Sequence, residues 1–347
     1  MKSLREILKE AEVKGIAVGH FNISDIAALR AVFGAALEMS SAGGGSPPSP
    51  GYGRAGAFSA KGGPASGWGG KLPVIIGTSE GEREFIGPRQ VVALVRSLSE
   101  EHDYPIFLNA DHTHSLEKAE EAARAGYDEI LFDGSKLPLE ENIKQTKRAV
   151  EIIKSINPEI LVEGEIGYIG GASEILKEIP EGAALAPENL TTPEEARRFV
   201  EETGVDVLAP AVGNMHGLLE QMVPILFPPS GITKSRIRDS DKVGVGTKGE
   251  LQKHLDIERI KRIKEAVKIP LTLHGGSGTA DKDFVAAIKA GIAIIHINTE
   301  IRIAWRRGVE EGLAKNPNEV APYKILPLAV ENIKKIVHDR LILFGGK

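Results

Sequence analysis

The run PIFLNADHTHSLEKAEEAARAGYDEILFDGS, residues 105–135, holds one complete strand–helix–strand unit. Residues 105–112 are apolar for most of their length and then end on Asp111 and His112. Ser115 opens an amphipathic stretch to Ala125, where a serine hydroxyl can cap the first free N–H groups of a helix. Residues 129–135 return to a short apolar run that ends at Asp133-Gly-Ser135. Short apolar runs alternating with helical patterns indicate βα units and a parallel sheet.

The same alternation continues in both directions. Strands are expected at 15–22, 72–79, 105–112, 129–135, 161–167, 205–213, 269–275 and 293–299. Helices are expected at Ser115–Ala125, Glu140–Ile156, Pro193–Thr203, Asp256–Val267 and Ala280–Ala290. Eight such pairs in order predict an α/β fold, a single (β/α)8 TIM barrel spanning residues 1–347, with its active site at the C-terminal face of the strands. Asn22, Ser79, Asp111, His112, Asp133, Glu165, His216, His274 and Thr299 all fall at or near expected strand ends, which is hard to attribute to chance.

Two irregular inserted segments interrupt the pattern. Residues 40–70 are rich in Gly, Ser, Pro and Ala and nearly lack large apolar side chains. Such a stretch buries too little surface to offset ordering entropy and is expected to be disordered, on the face away from the chemistry. Residues 218–253 begin helically, then pass through Pro228-Pro229 and scattered charges on the active-site face. A loop this long is a lid or an insertion that the fold tolerates, and the second reading is favoured.

Composition removes several functions. The chain has 347 residues, no cysteine and a formal net charge of -5. Thiolate ligands, cysteine nucleophiles and disulfides are therefore excluded, so a metal must be held by nitrogen and oxygen. Its mildly acidic character offers no footprint for nucleic acid or an anionic membrane. No stretch reaches the roughly 18 apolar residues of a spanning helix. The charged amphipathic N-terminus is unlike a signal peptide, and a cytoplasmic location is expected.

His112, His216 and His274 come from three separate strand ends, which suits a catalytic zinc site with one open position. Asp111 beside the first can act as acid or base. Glycines flank the other two, at Gly217 and in His274-Gly275-Gly-Ser277-Gly278, and the loops after the last two strands form the usual phosphate site of this fold. Asn298 and Thr299 add donors. Glu165 could orient a zinc-bound imidazole or, with the glycine-rich stretch after it, belong to a mobile flap. His114 makes a His-x-His with His112 but reads better as a loop residue. These features predict a metal-dependent enzyme acting on a phosphorylated small molecule.

Taken together and in order, Gly19-His-Phe-Asn22, Thr78-Ser79-Glu-Gly81, Asn109-Ala-Asp-His112, Asp133-Gly-Ser135, Glu165-Ile-Gly-Tyr-Ile-Gly-Gly171, Gly213-Asn-Met-His-Gly217, His274-Gly-Gly-Ser277 and Asn298-Thr-Glu300 resemble the class II, zinc-dependent fructose-bisphosphate/tagatose-bisphosphate aldolase family. The resemblance implies reversible aldol cleavage of a ketose 1,6-bisphosphate, with fructose 1,6-bisphosphate favoured over tagatose bisphosphate. It further implies zinc on His112, His216 and His274, one Zn2+ per subunit, and Asp111 as general acid/base. Gly217, Gly275, Ser277 and Thr299 would hold a phosphate, with Asn22, Ser79 and Asn298 lining the rest. A monovalent cation and a homodimer or homotetramer are secondary expectations from the same source. The chain departs from the family pattern at three places. His296 stands where an Asn is usual, Ser173 stands where the flap carries a Glu (placing Glu174 one residue later as the second catalytic group), and Tyr323 lies in Ala321-Pro-Tyr-Lys324 in place of Asp-Pro-Arg-Lys. A barrel metallohydrolase would need a second metal or an activating Asp on the last strand, and neither is found. An inactivated relative is the remaining alternative.

Overall fold

The computed structural model describes residues 2–41, 68, 70–171, 173–183, 186–227 and 253–345. Its strands are β1 (Val18–Asn22), β2 (Val74–Thr78), β3 (Ile106–Thr113), β4 (Glu129–Phe132), β5 (Leu161–Ile166), β6 (Ile175–Leu176), β7 (Val207–Pro210), β8 (Leu218–Leu219), β9 (Leu271–Leu273) and β10 (Ile292–Ile297). All except β6 and β8 close into a barrel in the order β1-β10-β9-β7-β5-β4-β3-β2. Every neighbouring pair is parallel. This is the expected (β/α)8 TIM barrel. Strands of a parallel barrel are covered on both faces, so they read as continuous apolar runs instead of alternating ones, and β1, β2, β4, β5, β7 and β10 are buried throughout.

The helix starts follow their capping chemistry. The Ser115 hydroxyl accepts from the Lys118 N–H, Thr192 and Glu195 exchange hydrogen bonds in a capping box, and the Asp256 carboxylate accepts from the Arg259 N–H. Helices Leu116–Ala125, Leu139–Ile156, Pro193–Thr203, Ile257–Val267 and Asp281–Ala290 match expectation to within one residue at each start. The last long helix, Pro327–Phe344, packs on Thr299–Lys315 and Ile26–Ser41. At that contact a Cβ on Gly308 would stand 2.3 Å from the Ala329 Cα, so glycine permits the close helix approach.

Two local features differ from the sequence reading. Strands expected at 205–213 and 269–275 are only Val207–Pro210 and Leu271–Leu273, so His216 and His274 leave from loops just past the ladder. The stretch after Gly217 starts as strand β8, paired in parallel with β6, before a 3-10 turn at Glu220–Met222 and a short helix Val223–Leu226. Two residues of strand are too few to show a period. Most of the segment 40–70, and residues 228–252 of the second segment, lie outside the described residues. Among the described residues, no helix is long and apolar enough to cross a membrane.

Candidate active site

The backbone at the end of β3 makes the site. His112 has φ +43°, and the β3–β4 register shifts between Ala110 and Thr113. In a regular strand, Asp111 and His112 would point to opposite faces. The left-handed residue and the irregular register let both act at the barrel mouth. Buried Arg83 braces this bend by donating to the carbonyls of Thr78 and Asp111 and, at 3.0 Å, to the Thr113 hydroxyl.

His112, His216 and His274 converge, with ring centroids 4.7, 5.0 and 5.9 Å apart. Glu165 joins them, and one donor atom from each of the four residues lies within 4.8 Å of the others. His112 Nδ1 faces Asp133 Oδ2 at 2.8 Å, which leaves its Nε2 for the centre. His274 Nε2 faces Glu163 Oε1 at 3.0 Å, which leaves its Nδ1. His112 Nε2, His216 Nε2, His274 Nδ1 and Glu165 Oε2 are all buried and lack a hydrogen-bond partner. Buried polar atoms ordinarily find partners. Four that share one centre, three of them imidazole nitrogens, fit a divalent cation with nitrogen and oxygen ligands.

The electrostatics of two imidazoles agree with that fit. At the third, burial works downward, but the Asp111, Asp133 and Glu165 carboxylates outweigh it and raise His112 well above its ordinary range. A cation at the centre would take the place of that proton. Burial, with the His112 charge second, holds His216 well below its ordinary range, and the same two causes bring His274 down to about 3. Both imidazoles are thus neutral, the form that binds a metal. Burial, then the Asp133 carboxylate, pushes the Glu165 carboxyl well up, so its charged form needs a cation beside it. Asp133 and Glu163 thus face the outer nitrogens of His112 and His274, and Glu165 Oε2 also lies 3.7 Å from His112 Nδ1.

Asp111 lies directly beside this cluster. Its Oδ2 accepts from Asn22 Nδ2 at 2.8 Å, and its Oδ1 is 3.5 Å from His296 Nδ1. Burial raises this carboxyl, but His112, His296 and His20 outweigh burial and hold it well below the usual carboxylate range. His20 and His296 stack in parallel with centroids 3.4 Å apart.

Asn22, Asp111, Ser173, His216, Gly275, Ser277, His296, Asn298 and Thr299 line one small cleft. The expected anion cup and the acid/base therefore share one opening. Gly217, with φ +78°, follows His216 of that lining and packs against Glu174 and Leu176. Gly275 has φ +59°, and a Cβ there would meet Met215 backbone atoms at 2.5 Å, so only glycine lets the two loops touch. Thr299 opens the helix to Lys315, whose first N–H groups have no intrahelical acceptor. Glu300, in that first turn, is neutralised by Arg340 at 2.8 Å.

Ser79 is placed differently. It precedes the Glu80–Ile86 helix, donates its N–H to Glu82 and does not line the cleft. Glu174 is exposed, and its carbonyl accepts from the Leu218 N–H. Tyr323 is likewise exposed. Lys253, unremarked in the sequence, lies buried beneath the cup with its ammonium donating to the carbonyls of Met215, Gly217, Gly275 and Ser277. Burial draws its pKa down to about 7, the Glu300 carboxylate opposes that shift, and four carbonyl oxygens aimed at the nitrogen oppose it further.

Comparison with known proteins agrees with this geometry. Residues 70–347 match the family described as Fructose-bisphosphate aldolase class-II. A probable fructose-bisphosphate aldolase of Bacillus subtilis is 32% identical, covering 99% of this chain and 97% of its own length. A fructose-bisphosphate aldolase of Thermus caldophilus is 31% identical, covering 98% and 97%. The crystal structure of the YdjI aldolase from Escherichia coli K12 superposes with a TM-score of 0.68 at 26% identity, covering 99% and 97%. The chain is an enzyme of the lyase class and belongs to the class II fructose-bisphosphate aldolase family.

Proposed function

We propose that this enzyme carries out zinc-dependent, reversible aldol cleavage of a ketose 1,6-bisphosphate, favouring fructose 1,6-bisphosphate and giving dihydroxyacetone phosphate and glyceraldehyde 3-phosphate. The observation that carries the reading is the set of four unpartnered donor atoms on His112, Glu165, His216 and His274, adjacent to Asp111 and a glycine-lined cup. His112, His216 and His274 would hold one zinc, with Glu165 within reach of the same centre. Bound there, zinc supplies a Lewis acid for the substrate ketone and for the charge left when the C3–C4 bond breaks.

Asp111 takes the proton of the C4 hydroxyl in cleavage and returns it in condensation. Its low proton affinity and the Asn22 hydrogen bond keep it ionised and aimed. The Gly217, Gly275, Ser277 and Thr299 backbone receives the phosphate of the three-carbon ketone, and Asn22 and Asn298 border the remaining substrate. Glu174, on the flap after β5, exchanges the carbon-bound proton of dihydroxyacetone phosphate when the flap closes. The subunit is one domain with 40–70 and 218–253 inserted, active as a cytoplasmic homodimer or homotetramer.

Steady-state cleavage of fructose and tagatose 1,6-bisphosphates tests this reading, using zinc-loaded protein, chelated protein and protein with zinc returned. Turnover that disappears with zinc and returns with it supports the lyase, and the ratio of rates identifies the sugar. Turnover of neither sugar by protein that holds zinc would overturn it.

A further inference from the structure

An ammonium buried without a carboxylate contact usually marks a structural problem, yet Lys253 has four acceptors. Its Nζ donates to Gly217 O and Ser277 O at 2.7 Å, to Gly275 O at 3.1 Å and to Met215 O. Three ammonium protons are shared among four oxygens. Rings of inward-facing carbonyls are how proteins strip and hold a monovalent cation. In this fold the cation comes attached to the chain, bridged in parallel to Thr279 just before the Ile257–Val267 helix.

The four carbonyls belong to alternate peptide units. The far ends of those units are also tied: the N–H groups of His216, Leu218, Gly276 and Gly278 donate to Ile169 O, Glu174 O, His296 O and the Glu300 carboxylate. Each peptide plane is rigid, so fastening both ends fixes its direction. The N–H groups of the intervening units, Gly217 and Ser277, have no acceptor among the described residues. Ser277 lines the cleft, and Gly217 directly follows His216, which lines it too.

We propose that Lys253 is a tethered monovalent cation and a positioning residue. Its ammonium fixes four peptide units around His216 and Gly276, so that the Gly217 and Ser277 N–H groups face the phosphate, and the enzyme needs no free K+ or Na+. This rests on the reading of the cup as the phosphate site.

The test compares wild type, Lys253→Ala and Lys253→Met as zinc-loaded proteins, in tetramethylammonium and potassium buffers of equal ionic strength. Calorimetry follows binding of inorganic phosphate, and thermal melting is read in parallel. Wild type should bind phosphate equally in both buffers. Lys253→Ala should bind about ten- to a hundredfold more weakly in tetramethylammonium and recover in K+ or NH4+, whose ions fit the vacated space. Lys253→Met, which fills that space with methylene groups, should stay weak in both. A wild type that needs K+, a Lys253→Ala that binds normally without it, or a loss that no cation restores would each overturn the proposal. The melting curves separate the two readings. If K+ stabilises Lys253→Ala and leaves wild type unmoved while no protein binds phosphate, the cage stands and the phosphate assignment fails.

Discussion

Asp133 Oδ2 lies 2.8 Å from His112 Nδ1, so one carboxylate at the end of β4 sets which nitrogen a left-handed residue of β3 presents to the cluster of His216, His274 and Glu165. Outer carboxylates of this kind fix ring orientation and raise ligand basicity. Replacing Asp133 with Ala is expected to weaken zinc affinity about 10- to 100-fold, with turnover recovered by excess zinc. Competition with a chelator of known affinity measures this, and unchanged affinity would show that the ring is held by other contacts.

Asp111→Asn keeps size and the contact with Asn22 while removing the base. The expected result is a fall in kcat of about 10²- to 10⁴-fold with zinc content unchanged. Loss of zinc together with rate would instead make Asp111 a support for the metal.

Acid should unfold the protein partly through His20. Burial draws this imidazole down to about 4 from 6.5, with the Asp111 carboxylate opposing the shift. Between those values the unfolded chain binds a proton that the folded chain refuses. Stability is therefore full above about pH 6.5 and falls by about 3 kcal/mol as pH drops toward 4. Urea unfolding of wild type and His20→Gln across this range should show a shallower acid loss in the variant. Parallel curves would assign the acid sensitivity to other groups.

Gly275→Ala places a methyl 2.5 Å from Met215 and 2.9 Å from the His216 N–H, on backbone that already has positive φ. Separation of the two loops should lower zinc occupancy and phosphate affinity together, at a stability cost of about 1–3 kcal/mol. Zinc content measured by emission spectroscopy and phosphate calorimetry would check this. Loss of one without the other would show that the loops act independently.

The barrel was legible in the sequence because buried parallel strands are apolar runs that stop on polar residues, as 105–112 does before Ser115. The three histidines were legible for the same reason. Lys253 was not, since its partners are backbone carbonyls from residues 215–217 and 275–277, and a carbonyl has no letter in the sequence. Arg83 escaped notice in the same way, as two of its three bonds go to main-chain oxygens. The pairing of β6 with β8 is too short to carry a pattern, and the bend at His112 shows only as a dihedral angle.

That small β6–β8 ladder gives the entrance and the floor of the cleft a common gear. Ile175–Leu176 follows Glu174 on the flap, and Leu218–Leu219 follows His216 and Gly217. Ser173 and His216, each two residues before one strand of that ladder, both line the cleft, so any displacement of one wall that leaves the two pairings intact is carried to the other.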